Sequence, residues 1–119
     1  MALLAVAVAG PAPGDERFPV FNGELLQSGR EIWLENCLGC HGDGTADAPR
    51  PEIYAEWRAR IEQSREVLYR HAIEGFFGPD YSMMPPRGGN PSLSDAAVQS
   101  AVDYMLELVE IYRPPAEQE

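Results

Sequence analysis

The chain has 119 residues, a length for one domain rather than two, and its 45% hydrophobic and 24% charged residues are ordinary for a globular protein. Its charge is not ordinary: 19 acids stand against nine bases, all of them Arg, for a net charge of −10. That excludes a nucleic-acid binder, which needs a basic footprint, and it means that a partner docking by charge should offer a basic patch.

Residues 2–9 are small and apolar, and "AVAG" resembles a signal-peptidase site. The run is too short to span a bilayer and lacks a positive flank. It reads as a partial export-signal remnant or a disordered tail, so residues 1–14 stand outside the fold. Residues 15–113 form the domain, and 114–119 a disordered tail. The first helix is expected over 23–36 with Asn22 as N-cap. Leu26, Gly29, Trp33 and Cys37 fall on one stripe at steps of three and four. A Gly there costs about 1 kcal/mol of helix stability against Ala, which a second helix approaching closely would explain. Pro51 opens a short helix over 52–60. Ser64 caps a third helix, Arg65–Glu74, with Val67, Leu68, Ala72 and Ile73 as its apolar stripe and Gly75 as its stop. "FFGPDYSMMPPRGGNPSLS" is a loop rich in Gly and Pro. Ser94 caps the last helix, where Val98, Ala101, Val102, Met105 and Val109 repeat at helical spacing until Pro114. No convincing alternating strand is present. The class is all-α, with about four helices.

The only two cysteines, Cys37 and Cys40, belong to "CLGCHG". Two are too few for a disulfide scaffold. Structural zinc needs four protein ligands, and the one other histidine is His71. A thioredoxin-like dithiol belongs in a βαβ pattern, which is absent. Cys-x-x-Cys-His is also the attachment signature of c-type haem, and this reading fits best. Two sulfurs three residues apart share one face of a helical turn and can add to the two vinyl groups along one edge of the macrocycle. His41 then reaches the iron from beneath. One covalently bound haem c would also fill much of the core of so small a chain.

The second axial position has candidates in Met83 and Met84 on "YSMMPPRGGNP". His/Met ligation is common in electron carriers and raises the potential. Pro85 and Pro86 stiffen the loop, and Pro85 biases Met84 to an extended conformation. Spacing does not separate the two methionines. His71 is a rival ligand, and Met as core filler is the bland alternative.

Four stretches carry a family resemblance: "GREIWLENCLGCHG", "AEWRARIEQSREVLYRHAIEGFFG", "MPPRGGNPSLSD" and "AVDYML". In this order and spacing the chain resembles a class I cytochrome c of the bacterial cytochrome c5 type. The resemblance implies that the Met before Pro-Pro, Met84, is the ligand. It implies that Gly29 and Trp33 pack against Tyr104 where the terminal helices cross. It also implies that Trp57 and Arg60 lie near the haem propionates, a suitable use of an indole N–H and a guanidinium. Arg87 stands where the family usually has Lys, and no cysteine remains for the extra disulfide of some relatives.

The function implied is a monohaem carrier of single electrons by outer-sphere transfer, with His41 and Met84 on the iron and no catalytic residue. Its partners would be redox proteins with a basic patch, and it would be periplasmic and monomeric. Two other readings stand beside it. One is a gas sensor or enzyme with a displaceable Met. The other is a cytochrome subunit of a larger membrane redox complex, with peripheral association as the weaker form.

Overall fold

Trp33 and Tyr104 are wholly buried, and their rings meet edge to face at 5.9 Å. They mark the crossing of two helices, α1 (Glu24–Asn36) and α4 (Asp95–Ile111). The computed structural model describes residues 17–78 and 82–118. Residues 1–14, read above as an export remnant or tail, lie outside the described residues. Between the crossing helices come α2 (Leu38–His41) and α3 (Arg65–Glu74), which gives four helices in number, with α2 standing where none was expected. Gly29 sits at the crossing itself: a Cβ built there would lie 2.1 Å from the backbone oxygen of Ser100. Only a residue without Cβ lets the two backbones come so close.

The segment before α1 is strapped across this crossing. Phe18 packs on Trp33 with ring centroids 5.0 Å apart. Arg30 Nε donates to the Phe18 carbonyl at 2.8 Å, and Tyr104 Oη donates to the Pro19 carbonyl at 2.8 Å. This strap decides where α1 starts. The N-cap is Gly23, at φ 106, and it makes no side-chain cap. The expected cap at Asn22 is therefore corrected: the chain turns into the helix through a backbone conformation that glycine adopts at little cost.

The caps at the other helices are as expected. Ser64 Oγ accepts from Val67 N and Ser94 Oγ from Ala97 N, while Gly75 ends α3 at φ 89. Ala72 of α3 packs against Val98 and Val102 of α4. Arg65 Nη1 donates to Asp103 Oδ1 at 2.9 Å across the same pair of helices, and Tyr69 Oη donates to the same oxygen. An exposed ion pair contributes little, so the apolar contact holds α3 in place.

Two expectations need correction. Residues 52–60 do not form one helix. They fold as separate single turns, Tyr54–Glu56 and Arg60–Glu62. Tyr54 and Trp57, each 4% exposed, are three residues apart, and side chains at that spacing eclipse on a 3₁₀ turn. Burying both side chains on one face favours that tighter winding. The Gly/Pro-rich loop also contains strand pairing: β1 (Phe76–Phe77) and β2 (Met83–Met84) are antiparallel, with Phe76 opposite Met84 and Phe77 opposite Met83. Two residues per strand are too few to show alternation. Beyond α4, Pro115–Glu117 make one more turn, whose Glu117 receives Arg58 at 2.6 Å. Among the described residues no helix is long and apolar enough to cross a membrane.

Candidate functional site

Cys37 is the joint between α1 and α2. Its N–H still closes α1 on the Trp33 carbonyl at 2.8 Å, but φ −117 turns the chain there. Its own carbonyl then accepts from Cys40 N at 3.2 Å and His41 N at 3.0 Å. The two sulfurs and the imidazole are thus set on one turn. Burial pushes the Cys37 thiol up to about 11, with the neighbouring Cys40 adding in the same direction. A thiol raised by burial is a poor nucleophile, so Cys37 is not poised to attack. Among the described residues no group of three or more His, Cys, Asp and Glu could hold a metal ion, so no zinc cage is present there.

His41 is 7% exposed, and its Nδ1 lies 2.8 Å from the Pro49 carbonyl. A carbonyl can only accept, so Nδ1 carries the proton and Nε2 is left with its lone pair, as a metal ligand requires. Burial lowers the imidazole pKa below its ordinary value, the Pro49 bond opposes this, and Arg60 adds a smaller push downward. The ring is therefore neutral at neutral pH, which ligation also needs. Pro49 was not singled out in the sequence. Its role as a backbone acceptor leaves no side-chain signal.

A cavity of about 500 Å³ opens beside His41, within the range of cofactor sites. Cys37, Cys40 and His41 border it on one part of its wall, and Met84, His71, Trp57 and Arg60 also border it. Every residue proposed from the sequence for cofactor or iron is thus brought to one cavity, and the rival His71 as well. His71 stacks on Phe76 at 4.3 Å between ring centroids.

The two methionines part company here. Both border the cavity, but neighbours on a strand face opposite ways. Met83 is 49% exposed, whereas Met84 packs against the Ala72, Val98 and Val102 cluster. Gly75 makes room for it: a Cβ there would sit 3.0 Å from the Met84 carbonyl oxygen. Arg87, at φ 56, braces the loop beyond the prolines. One end of its guanidinium donates to the Leu93 carbonyl at 2.9 Å, and the other meets Asp95 at 2.7 Å. The Lys usual in the family could not span both in this fork.

The donor set fits a c-type haem. The cavity floor and sides include Ile32, Leu68, Val98, Ala101 and Val102, an apolar bed for a macrocycle. Trp57 Nε1 is buried without a hydrogen-bond partner among the described residues, a donor suited to a carboxylate of the bound group. Trp33 Nε1 is also without a partner, but Trp33 does not border the cavity, so position and not isolation marks Trp57.

A family model described as cytochrome c oxidase, cbb3-type, subunit III matches residues 24–105. Cytochrome c-555 of Chlorobaculum thiosulfatiphilum is 37% identical over 79 residues, 66% of this chain and 91% of that one. The chain is a class I c-type cytochrome. Cytochrome c-555 of Prosthecochloris aestuarii is 32% identical over 71% of this chain and 88% of its own. Cytochrome c5 of Azotobacter vinelandii is 27% identical over 70% and 96%. A chain in the crystal structure of an electron transfer complex of nitrite reductase with cytochrome c superposes with a TM-score of 0.60 at 29% identity, covering 69% of this chain and 94% of that one. The cytochrome carries one covalently bound haem c and transfers single electrons to and from redox proteins; it is not an enzyme. The resemblance to the cytochrome c5 type and the class I fold hold. The sensor, enzyme and membrane-subunit readings gain nothing from these relatives.

Proposed function

We propose that this cytochrome is an outer-sphere electron carrier of the periplasm, with His41 and Met84 as its two axial ligands and Cys37 and Cys40 as its haem attachments. The observation that carries this reading is one cavity bordered by both ligand side chains, each locked by its own backbone: His41 through Pro49, and Met84 through Gly75, the β1–β2 pairing and the two prolines. Bound haem supplies the one-electron couple. The chain contributes fixed ligands, so little reorganises when the charge on the iron changes, and an apolar wall that excludes water. Trp57 and Arg60 hold the propionates. Arg60 also ties its turn to the preceding one by donating to the Glu56 carbonyl.

Docking follows from charge and exposure. Phe77, 80% exposed, and Met83, 49% exposed, are cross-strand neighbours on the hairpin that carries Met84. They offer apolar contact beside the cavity, while the net charge of −10 favours a redox protein with a basic patch.

A visible spectrum of the purified holoprotein tests the ligand set. Sharp c-type ferrous bands, a weak long-wavelength sulfur-to-iron band in the ferric form and indifference to carbon monoxide are expected. Ready uptake of carbon monoxide without denaturant would overturn His/Met ligation. Trp57→Phe tests the propionate contact. A hydrogen bond to the ionised carboxylate holds its pKa down, so losing the indole donor raises that pKa. The pH region in which the reduction potential varies should move upward in a redox titration. An unchanged profile would remove Trp57 from the propionate site.

A further inference from the structure

Asn36, the last residue of α1, and Asn90, six residues beyond Met84, are hydrogen-bonded side chain to side chain: Asn90 Nδ2 donates to Asn36 Oδ1 at 2.9 Å. We propose that this pair is a latch that positions Met84 on the iron by tying the ligand loop to the helix that carries the haem attachment. The inference rests on Met84 being the ligand.

Three features make the pair a directed link. Asn36 Nδ2 donates to the Ile32 carbonyl at 2.9 Å, so its amide cannot turn over, and Oδ1 must face the loop. Asn90 Oδ1 accepts from Ser92 N at 3.1 Å and Ser92 Oγ at 2.6 Å, so the Asn90 amide is oriented too and must present Nδ2 to Asn36. Each amide is thus fixed by a partner on its own side, and the bond between them has one polarity. The backbone presses at the same place. A Cβ at Gly88 would lie 2.9 Å from the Asn36 carbonyl oxygen, and Gly88 stands at φ 63. Arg87, Gly88 and Gly89 all have positive φ; Arg87 braces this stretch toward α4, and the Asn pair ties it to α1. Upstream of the prolines Met84 is held by β1, and downstream the loop is held by Asn36. Cys37 follows Asn36 directly, so this side-chain contact links the ligand loop to the turn proposed to attach the haem. A ligand so held resists displacement by an external one. When the latch is open, an entering base competes against a loop with more freedom.

The test is titration of the ferric holoprotein with imidazole, read by displacement of the sulfur-to-iron band, alongside guanidinium unfolding. Asn90→Ala and Asn36→Ala should each raise imidazole affinity about three- to tenfold, the weight of one net hydrogen bond. The double variant should rise no further than the larger single one, because both remove the same contact. Asn90→Asp keeps the shape and leaves no cavity, but sets an oxygen against Asn36 Oδ1, and should show the same rise. Met84→Ala is the reference for full loss of the ligand. If it leaves band and affinity unchanged, the ligand reading fails and this inference with it. If Met84→Ala binds imidazole tightly while the Asn90 variants bind as the parent does, the latch alone is overturned. Lower unfolding midpoints with parental imidazole affinity would make the pair merely structural and overturn it equally, as would additive single effects.

Discussion

Met84→Ala should convert this cytochrome into a protein that takes up carbon monoxide in the ferrous state and imidazole in the ferric state, with the sulfur-to-iron band abolished. The reduction potential should fall by an amount on the order of 0.1 V or more, within the roughly 0.8 V that axial ligands command. The direction follows from the thioether, which favours ferrous iron; water or another oxygen ligand in its place favours ferric. Met83→Ala should leave spectrum, ligand binding and potential close to those of the parent. The contrast rests on the strand. Phe76 pairs with Met84 and Phe77 with Met83, and consecutive residues on β2 point to opposite faces. The two side chains therefore cannot both face the same side of this backbone. Met84 is packed with Ala72, Val98 and Val102, while Met83 is half-exposed. A paired measurement of potential and carbon monoxide uptake on the two variants decides. A larger effect from Met83→Ala would reverse the assignment and require the hairpin to pair in another register, since a slip of one residue exchanges the faces.

What could be read from the sequence and what could not divide along the range of the interaction. The Cys-x-x-Cys-His turn was legible because its geometry is local: two thiols and an imidazole within one turn. The caps at Ser64 and Ser94 were legible for the same reason, since each hydroxyl bonds an amide three residues on. Gly29 was legible as an anomaly, a costly residue on an apolar stripe, though the stripe did not name its partner atoms on Ser100. The start of α1 was misplaced because Phe18, Pro19 and Arg30 fix the incoming chain from a distance. Residues 52–60 were misread because a helical apolar period and a 3₁₀ period coincide over three residues, and only burial of both Tyr54 and Trp57 separates them. Pro49 and the Asn36–Asn90 pair carry no pattern at all. The first acts through a carbonyl that every residue has, and the second joins side chains 54 positions apart. The proposal of Met84 over Met83 draws on the hairpin, whose strands are too short to announce themselves.

Gly29→Ala should destabilise the protein by about 3 kcal/mol or more, at the upper end of the cost of overpacking. Helix propensity pulls the other way, because Ala is better than Gly by about 1 kcal/mol inside a helix. The size of the clash decides between them. The added Cβ would lie 2.1 Å from the Ser100 oxygen, 2.7 Å from its carbonyl carbon and 3.3 Å from Ala101 N. All three are backbone atoms of α4, so no rotamer change relieves the contact, and the helices must move apart. Separation then loosens Trp33 from Tyr104 and Phe18 from Trp33, the centre of the core. For a domain of this size 1 kcal/mol corresponds to roughly 4–8 °C in Tm, so a fall on the order of 10–20 °C is expected. Ser28→Ala is the control: Ser28 is exposed on the same helix and should change stability by no more than about 0.5 kcal/mol. Guanidinium unfolding of both holoproteins, followed by far-ultraviolet circular dichroism, measures the difference. Should Gly29→Ala prove as stable as the parent, α1 and α4 would have to cross elsewhere than at Gly29 and Ser100. The cavity wall formed by Ile32, Ala101 and Met105 would then have to be redrawn, because those residues take their places from the same crossing.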